Sequence, residues 1–352
     1  MEMTEKIRQV KAELKNQKMI IAFSGGADST LLANIASKIT GEFLLVTVDN
    51  GVLPKDCINN AKKIADEIGL SHEVVIENFM QDPNFKANNS NRCFICKNKM
   101  YSKLEEIAKE RNFPIITDGT NISDLLEDRP GLMVNYQKNI ISPLVKAGIS
   151  REDVLNYLNE NNINYSVSTT CMATRISTGD EITTKKINRI SYAESLVKTL
   201  SKNDIVRVRD QKDVAQIEIV DIELILNSNV LKHIDAELKA VGFERVTLDI
   251  GSAKKEKKDL VVYKPCKDEK NKIMFETELP YEIDIKNTCK QLESLGKLKC
   301  SESMGIVMCE IEGRNVTVFK NGKIVARKVQ DQDDAEKLLI KVLPRIRRII
   351  QN

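Results

Sequence analysis

The chain has 352 residues, 41% hydrophobic and 30% charged, with a net charge of +3 and a pI near 8.3. That length holds about two or three domains, and the composition excludes wholesale disorder. No apolar run approaches the roughly 18–20 residues of a membrane-spanning helix, and a charge this close to balance gives no argument for nucleic acid.

In chain order, residues 4–16 are charged and helix-periodic, with no apolar signal region, which reads as a cytoplasmic protein. Residues 18–24 form an apolar run broken by Gly25-Gly26, and the spacing then predicts a helix over 28–38. A second apolar strand over 43–49 ends at Asn50-Gly51. Helix 54–68, strand 72–76, helix 94–111 and strand 114–118 follow. Strands alternating with helices of this length predict an α/β fold, a doubly wound parallel sheet with helices on both faces. Beyond 150 the texture changes. A helix over 150–161 precedes a polar loop rich in Cys and Thr over 166–180. Helix 184–201 leads to alternating strands at 206–209 and 215–220, and helix 237–242 then leads to strand 246–250. A lysine-rich stretch at 253–258 reads as a linker or exposed edge. The remainder predicts a strand at 273–278, a helix at 283–295 and strands at 297–300, 306–312 and 315–320. A hairpin turn at Asn321-Gly322, a strand to 329 and a helix from 333 complete it. The expected division is residues 1–182, 183–262 and an appended α+β domain over 263–352.

Ser24-Gly25-Gly26-Ala27-Asp28-Ser29-Thr30 lies between a buried strand and a helix, the setting a phosphate loop needs. Glycines let the backbone approach an anion, and the helix start presents free amides and the positive end of its dipole. Ser24, Ser29 and Thr30 add hydroxyls, while Asp28 caps the helix or orients Mg²⁺. No Gly-Lys-Ser/Thr follows at the spacing of a Walker A loop. The heptapeptide resembles the PP-loop family, the ATP pyrophosphatases, which cleave ATP between the α and β phosphates and adenylate a substrate. The resemblance places Asp49, at the carboxyl end of the second strand, beside adenosine.

Further motifs narrow the resemblance. They are Asp118-Gly119-Thr-Asn121, Asp124, Asp128-Arg-Pro-Gly131, Ser142-Pro-Leu144, Cys171-Met-Ala-Thr-Arg175, Ala193-Glu194, Val206-Arg207-Val-Arg209, Ile217-Glu218 and Gly242-Phe-Glu-Arg-Val-Thr-Leu-Asp249. In that order they resemble the LarE family of ATP-dependent sulfur transferases, over roughly residues 5–255. The family adenylates a nicotinate-derived mononucleotide carboxylate and converts it to a thiocarboxylate, on the way to the nickel-pincer nucleotide. The resemblance implies an ATP site at residues 24–30, Asp49, Asp118 and Gly119. It implies a substrate-phosphate site at Arg175, Arg207 and Arg209, whose bidentate donors suit that role, with Glu194 and Glu218 orienting it or holding a cation. Arg207 and Arg209 also read as one exposed face of an edge strand. Gln216, Ala173-Thr174 and the tail at 251–255 depart from the family pattern, which touches substrate identity and not reaction class.

Eight cysteines in a cytoplasmic chain are expected as small buried hydrophobes, metal ligands or nucleophiles, not as disulfides. Only His72 and His233 are available for His-based chemistry. By the resemblance, Cys171 is the sulfur-bearing cysteine, which some relatives sacrifice. Cys93-Phe-Ile-Cys96, with Lys97 beside it, can bring two thiolates to one centre and Cys171 a third. Three such ligands suit a [4Fe–4S] cluster whose open iron binds hydrosulfide. A persulfide or sacrificial relay, zinc, and plain buried thiols are the alternatives. Cys57 is expected in the core, as are Cys266, Cys289, Cys300 and Cys309 of the appended domain. The expected partners are ATP, a small nucleotide-like substrate, sulfide or another sulfur donor, and further copies of the chain in a homo-oligomer. A tRNA-thiolating enzyme would need a broader basic surface, and a nucleotide- or cluster-binding sensor would bind without turnover.

Overall fold

In the computed structural model, residues 2–167, 170–203, 205–250, 261–265 and 272–350 are described. The expected linker at 253–258, the departure at 251–255 and Cys266 lie outside them. No helix among the described residues is long and apolar enough to cross a membrane.

The first sheet is parallel, in the order β3-β2-β1-β4. Its strands are β1 (Lys18–Ala22), β2 (Glu42–Asp49), β3 (Ser71–Ile76) and β4 (Ile115–Asp118). Parallel neighbours require crossovers, and helices supply them. These are α2 (Ala27–Ala36), α3 (Lys55–Ile68), and α4 (Pro83–Lys86) with α5 (Arg92–Glu110). The central strands are apolar throughout because both faces are covered. Met19, Ile21 and Leu45 join a core with α1 (Met3–Leu14), α2, α3 and α8 (Arg151–Glu160). Ile20, Leu44 and Val46 point the other way into a core with α5 and α6 (Leu132–Gln137). All four strands therefore end at one edge, where loops can build a ligand crevice.

The stretch from β4 to α8 is made of short pieces: a 3₁₀ turn at Ile122–Leu126, α6 and α7 (Pro143–Lys146). Pieces this short carry no readable periodicity. Next comes α9 (Thr184–Ser201) against a three-stranded sheet of β5 (Val206–Gln211), β6 (Val214–Ile219) and β7 (Arg245–Leu248). Between β6 and β7 runs α10 (Ser228–Ala240), nine residues earlier than the helix expected from 237. Its start signal is Asn227, whose side chain accepts from the Asn229 amide at 2.9 Å. The core here also takes in Val52, Phe79 and Phe85, so this region is packed onto the loops above the parallel sheet.

The C-terminal β-rich domain is a six-stranded antiparallel sheet ordered β10-β11-β12-β13-β9-β8. Its strands are β8 (Val261–Pro265), β9 (Ile273–Glu278), β10 (Lys297–Ser301), β11 (Ile306–Ile311), β12 (Arg314–Phe319) and β13 (Lys323–Val329). α11 (Ile285–Leu292) and α12 (Gln332–Val342) pack with the sheet in one core. The Asn321-Gly322 turn joins β12 to β13 as expected, with Gly322 at φ 95°; β8 had no sequence signal. One expectation is overturned, for Cys289 and Cys300 form a disulfide. The Glu293–Leu295 turn folds β10 back on α11 and sets the two Cα atoms 6.3 Å apart, within disulfide range. A compartment argument cannot see that local geometry. Cys309 is buried as expected.

Candidate active site: a phosphate loop and three thiols

The phosphate loop is wired from within. Gly25 takes a left-handed φ of 70° and lies against α3, where a Cβ would stand 3.0 Å from the Ala61 Cα. Thr30 is fully buried and donates to the Gly25 carbonyl at 3.1 Å; Ser29 donates to the Gly26 carbonyl at 3.1 Å. Ser24 is exposed, and its hydroxyl accepts from the Gly26 amide at 3.3 Å. Gly26 caps α2, whose first-turn amides have no acceptors within the helix. This is the anion-binding end that the sequence implied.

Behind the loop, Gly119 touches it directly. A Cβ there would stand 2.7 Å from the Asp28 carbonyl carbon and the Ser29 nitrogen. Beside it the Asp118 carboxylate is a hub, 6% exposed. It accepts from Tyr101 Oη at 2.6 Å, Thr120 Oγ1 and Ser142 Oγ at 2.7 Å, and Asn135 Nδ2 at 2.9 Å. The Thr120 amide at 3.2 Å and Lys97 Nζ at 3.4 Å complete the set. Burial would raise its pKa, but Lys97 and the hydroxyl and amide donors win and hold it at about 2. Asp28 moves the other way. Burial, then the nearby Asp124 carboxylate, raises its pKa, while Asn121, Arg151 and Arg129 oppose the rise. Asn121 donates to Asp28 at 2.8 Å and also caps the Ile122–Leu126 turn. At the end of β2, Asp49 is half-buried and accepts from the Gly51 amide at 3.0 Å.

The Cys171 segment is sewn to this edge at two points. The Ser166 amide donates to the Gly25 carbonyl at 2.7 Å, and the Met172 amide to the Val52 carbonyl at 2.9 Å. Met172 is buried beneath, in the core that Val52 shares. Cys93 and Cys96 lie on the first turns of α5. Asn50, at the end of β2, donates to Cys96 Sγ at 3.5 Å. Arg92 reaches both halves, donating to the Ala173 carbonyl at 3.0 Å and to Cys93 Sγ at 3.5 Å. Burial pushes the Cys96 thiol up to about 12, and the nearness of Cys171 and Cys93 adds to this. Cys171 is raised too, chiefly by burial, with Arg92 opposing and Cys93 reinforcing. The three thiols thus share one neighbourhood above the sheet. Among the described residues, however, no three His, Cys, Asp or Glu side chains are already closed to metal-holding geometry. Arg92 and Asn50 were missed in the sequence, where each is an ordinary polar residue beside a more conspicuous motif.

The expected phosphate-binding residues divide. Arg175 is 3% exposed and spends its Nε on Glu194 at 2.8 Å. Glu194 also accepts from the Val208 amide at 3.1 Å, so the pair ties α9 to β5. Arg209 engages Glu218 through two nitrogens and the Thr174 carbonyl at 3.3 Å. Arg207 lies on the same face of β5, opposite Glu218 in the ladder, and its side chain makes no hydrogen bond or ion pair among the described residues. A cleft of about 360 Å³ opens between α3 and residues 164–167; Cys57, expected in the core, is instead half-buried and is the only cysteine among its lining residues.

Comparison with known proteins fits this geometry. A PP-loop domain family matches residues 1–133. An uncharacterised protein of Methanocaldococcus jannaschii is 34% identical over 243 residues, 68% of this chain and 92% of the relative. An uncharacterised protein of Synechocystis is 32% identical over 252 residues, 70% of this chain and 92% of the relative. The pyridinium-3,5-bisthiocarboxylic acid mononucleotide synthase of Lactiplantibacillus plantarum is 28% identical over 256 residues, 70% of this chain and 91% of that protein. Nearly all of each relative is matched, while a substantial part of this chain is not.

Proposed function

The chain belongs to the LarE-like family of PP-loop proteins, and from that premise we propose that it adenylates a substrate carboxylate and replaces the activated oxygen with sulfur. The observation that carries the proposal is the stitching of the Cys171 segment to the phosphate loop and to the end of β2, opposite Cys93 and Cys96. A protein that only bound ATP has no need to gather three thiols at the edge where the phosphates sit.

In this reading the α2 amides and the Ser24 hydroxyl hold the phosphates, with Mg²⁺ accompanying ATP, and Asp49 stands beside the adenosine. Asp118 and Gly119 act by position, since the carboxylate is satisfied from within the protein and the glycine lets β4 abut the loop. The substrate carboxylate attacks the α-phosphorus and pyrophosphate leaves. Hydroxide is a very poor leaving group and AMP a good one, so adenylation is what opens the carbon to sulfur. Charge developing on pyrophosphate is met by preoriented amides, which need no reorganisation at the moment of reaction. Arg207, with Arg209, receives the phosphate of a mononucleotide substrate; Arg175 and Glu194 are its buttress.

Cys93, Cys96 and Cys171 would hold a [4Fe–4S] cluster with one iron left open, and their thiol chemistry fits it. When bound, such a cluster supplies hydrosulfide to the activated carbon. Lys97, tied to Asp118, lies behind the pair. The competing route is loss of sulfur from Cys171 itself. We further propose the three-part division expected from the sequence, with its second boundary moved from 262 to before β8 because that strand pairs with β9 in the C-terminal sheet, a homo-oligomer and a cytoplasmic setting.

The test is an anaerobic reaction of the full chain with ATP, sulfide and the pyridinium dicarboxylate mononucleotide, with mass spectrometry of product and of residue 171. Pyrophosphate release that needs both ATP and the carboxylate, followed by thiocarboxylate, supports the proposal. Many turnovers with Cys171 intact support the cluster; one turnover with dehydroalanine at 171 supports sacrifice. No carboxylate-dependent pyrophosphate sinks the adenylation.

A further inference from the structure

The C-terminal β-rich domain does not hang free. Its core takes in Leu125 and Val145 from the stretch between β4 and α8, together with Leu338, Leu339, Leu343 and Ile346. Tyr281 Oη donates to the Leu125 carbonyl at 3.0 Å. The Arg347 guanidinium lies 3.6 Å over the Tyr136 ring, and Ile340 fills the space beside Gly148. Arg348, only 14% exposed at its side chain, pairs with Asp128 and sits 4.8 Å over the Tyr281 ring. The C-terminal segment is itself pinned back, with the Asp284 amide donating to the Arg347 carbonyl at 2.7 Å and the Ile349 amide to the Glu282 carbonyl at 2.9 Å.

What is gripped is the turn at 127–132, and that turn faces two ways. Arg129 binds Asp124 at 2.8 Å; Asp124 closes the capping box with Asn121, which holds Asp28 of the phosphate loop. Gly131 packs on the start of α5, where a Cβ would stand 3.1 Å from Lys97 Cδ and 3.3 Å from the Cys93 carbonyl oxygen. We propose that the C-terminal β-rich domain is a clamp on this turn, with Arg348 as the positioning residue, so that it sets the phosphate loop and the first thiol together. The clamp gives the β-rich domain a role at the face where it is packed. It rests on the function proposed above only in taking ATP as the ligand of the loop.

The test uses the full chain and four variants: Arg348→Ala, Arg348→Lys, Asp128→Ala and the Arg348→Ala/Asp128→Ala double. Hydrogen exchange at 122–137 and at 24–30, the affinity for a non-hydrolysable ATP analogue with Mg²⁺, and the melting temperature are read on each. Arg348→Ala is expected to speed exchange in both segments and to weaken the analogue about fivefold to tenfold, the usual scale of coupling between sites. The melting temperature stays near the native one, Arg348→Lys recovers most of the affinity, and the double variant is no worse than either single. Faster exchange at 122–137 with 24–30 and the affinity unchanged makes the domain a passive buttress and overturns the clamp. So does an affinity loss that tracks a fall in melting temperature and is not recovered by Lys. If the native chain binds no ATP analogue, the proposed function fails on its own account, and exchange at 24–30 alone then decides the clamp, faster supporting it and unchanged overturning it.

Discussion

Replacing Asp118 by Asn removes a charge on which six hydrogen bonds converge. Burial opposes the carboxylate, yet Lys97 and the donors hold its pKa at about 2 against a usual 3.8, a difference worth about 2–3 kcal/mol in favour of the fold. Because the folded value is the depressed one, this contribution is fully present above pH 4 and is lost as pH falls from the usual value toward 2. An asparagine also turns an amide NH₂ toward groups that are themselves donors, so the total at neutral pH is about 3 kcal/mol. In a chain of this size each kcal/mol moves the midpoint by roughly 2–4 °C, which predicts a loss of about 6–12 °C. Urea titrations of the native chain and Asp118→Asn at pH 7, 5, 4 and 3 measure the gap directly. A gap below about 1 kcal/mol at pH 7 would refute the hub. So would a gap that fails to narrow between pH 4 and 3.

Gly119→Ala places a methyl 2.7 Å from the phosphate-loop backbone, so ATP affinity should fall by about tenfold or more while circular dichroism stays native. Arg189 is 4% exposed and Asp210 fully buried, and Arg189 Nε donates to that carboxylate at 2.8 Å. Arg189→Met alone should therefore cost about 3–5 kcal/mol in urea unfolding, and Arg189→Met/Asp210→Leu should recover most of it. Burial lowers the His72 pKa, so the native chain should lose stability as pH falls below 6.5 toward the folded value. Thermal melts of His72→Gln should lack that slope. Arg207→Ala should raise KM for the mononucleotide with the melting temperature unchanged, whereas Arg175→Ala should lower the melting temperature first.

The phosphate loop was legible because every local signal agreed: an all-apolar strand, two glycines and a helix start at one junction. The thiol trio was legible only through the family pattern, since nothing in the spacing of residues 93, 96 and 171 says that a loop will be stitched to Gly25 and Val52. The Asp118 hub was not legible at all. Its donors come from residues 97, 101, 120, 135 and 142, on pieces whose placement is tertiary. The same limit hid the Cys289–Cys300 bridge, which depends on one 3₁₀ turn bringing a helix and a strand side by side.

Which charges are already committed says where a ligand's charge can be met. Asp118, Glu194 and Glu218 each face donors from the protein, and Arg175 and Arg209 face carboxylates. An anion approaching any of those cations must compete with a partner already in place, whereas at Arg207 the facing carboxylate, Glu218, is already engaged by Arg209. The first-turn α2 amides have no acceptor within the helix. The Cys171 segment is joined to the phosphate loop through Ser166 and to β5 through Thr174 and Arg209, the neighbour of Arg207 on that face. In the function proposed above, Arg207 meets the phosphate of the mononucleotide and the Cys171 segment faces its activated carbon, a use of β5 that a nucleotide sensor would not need.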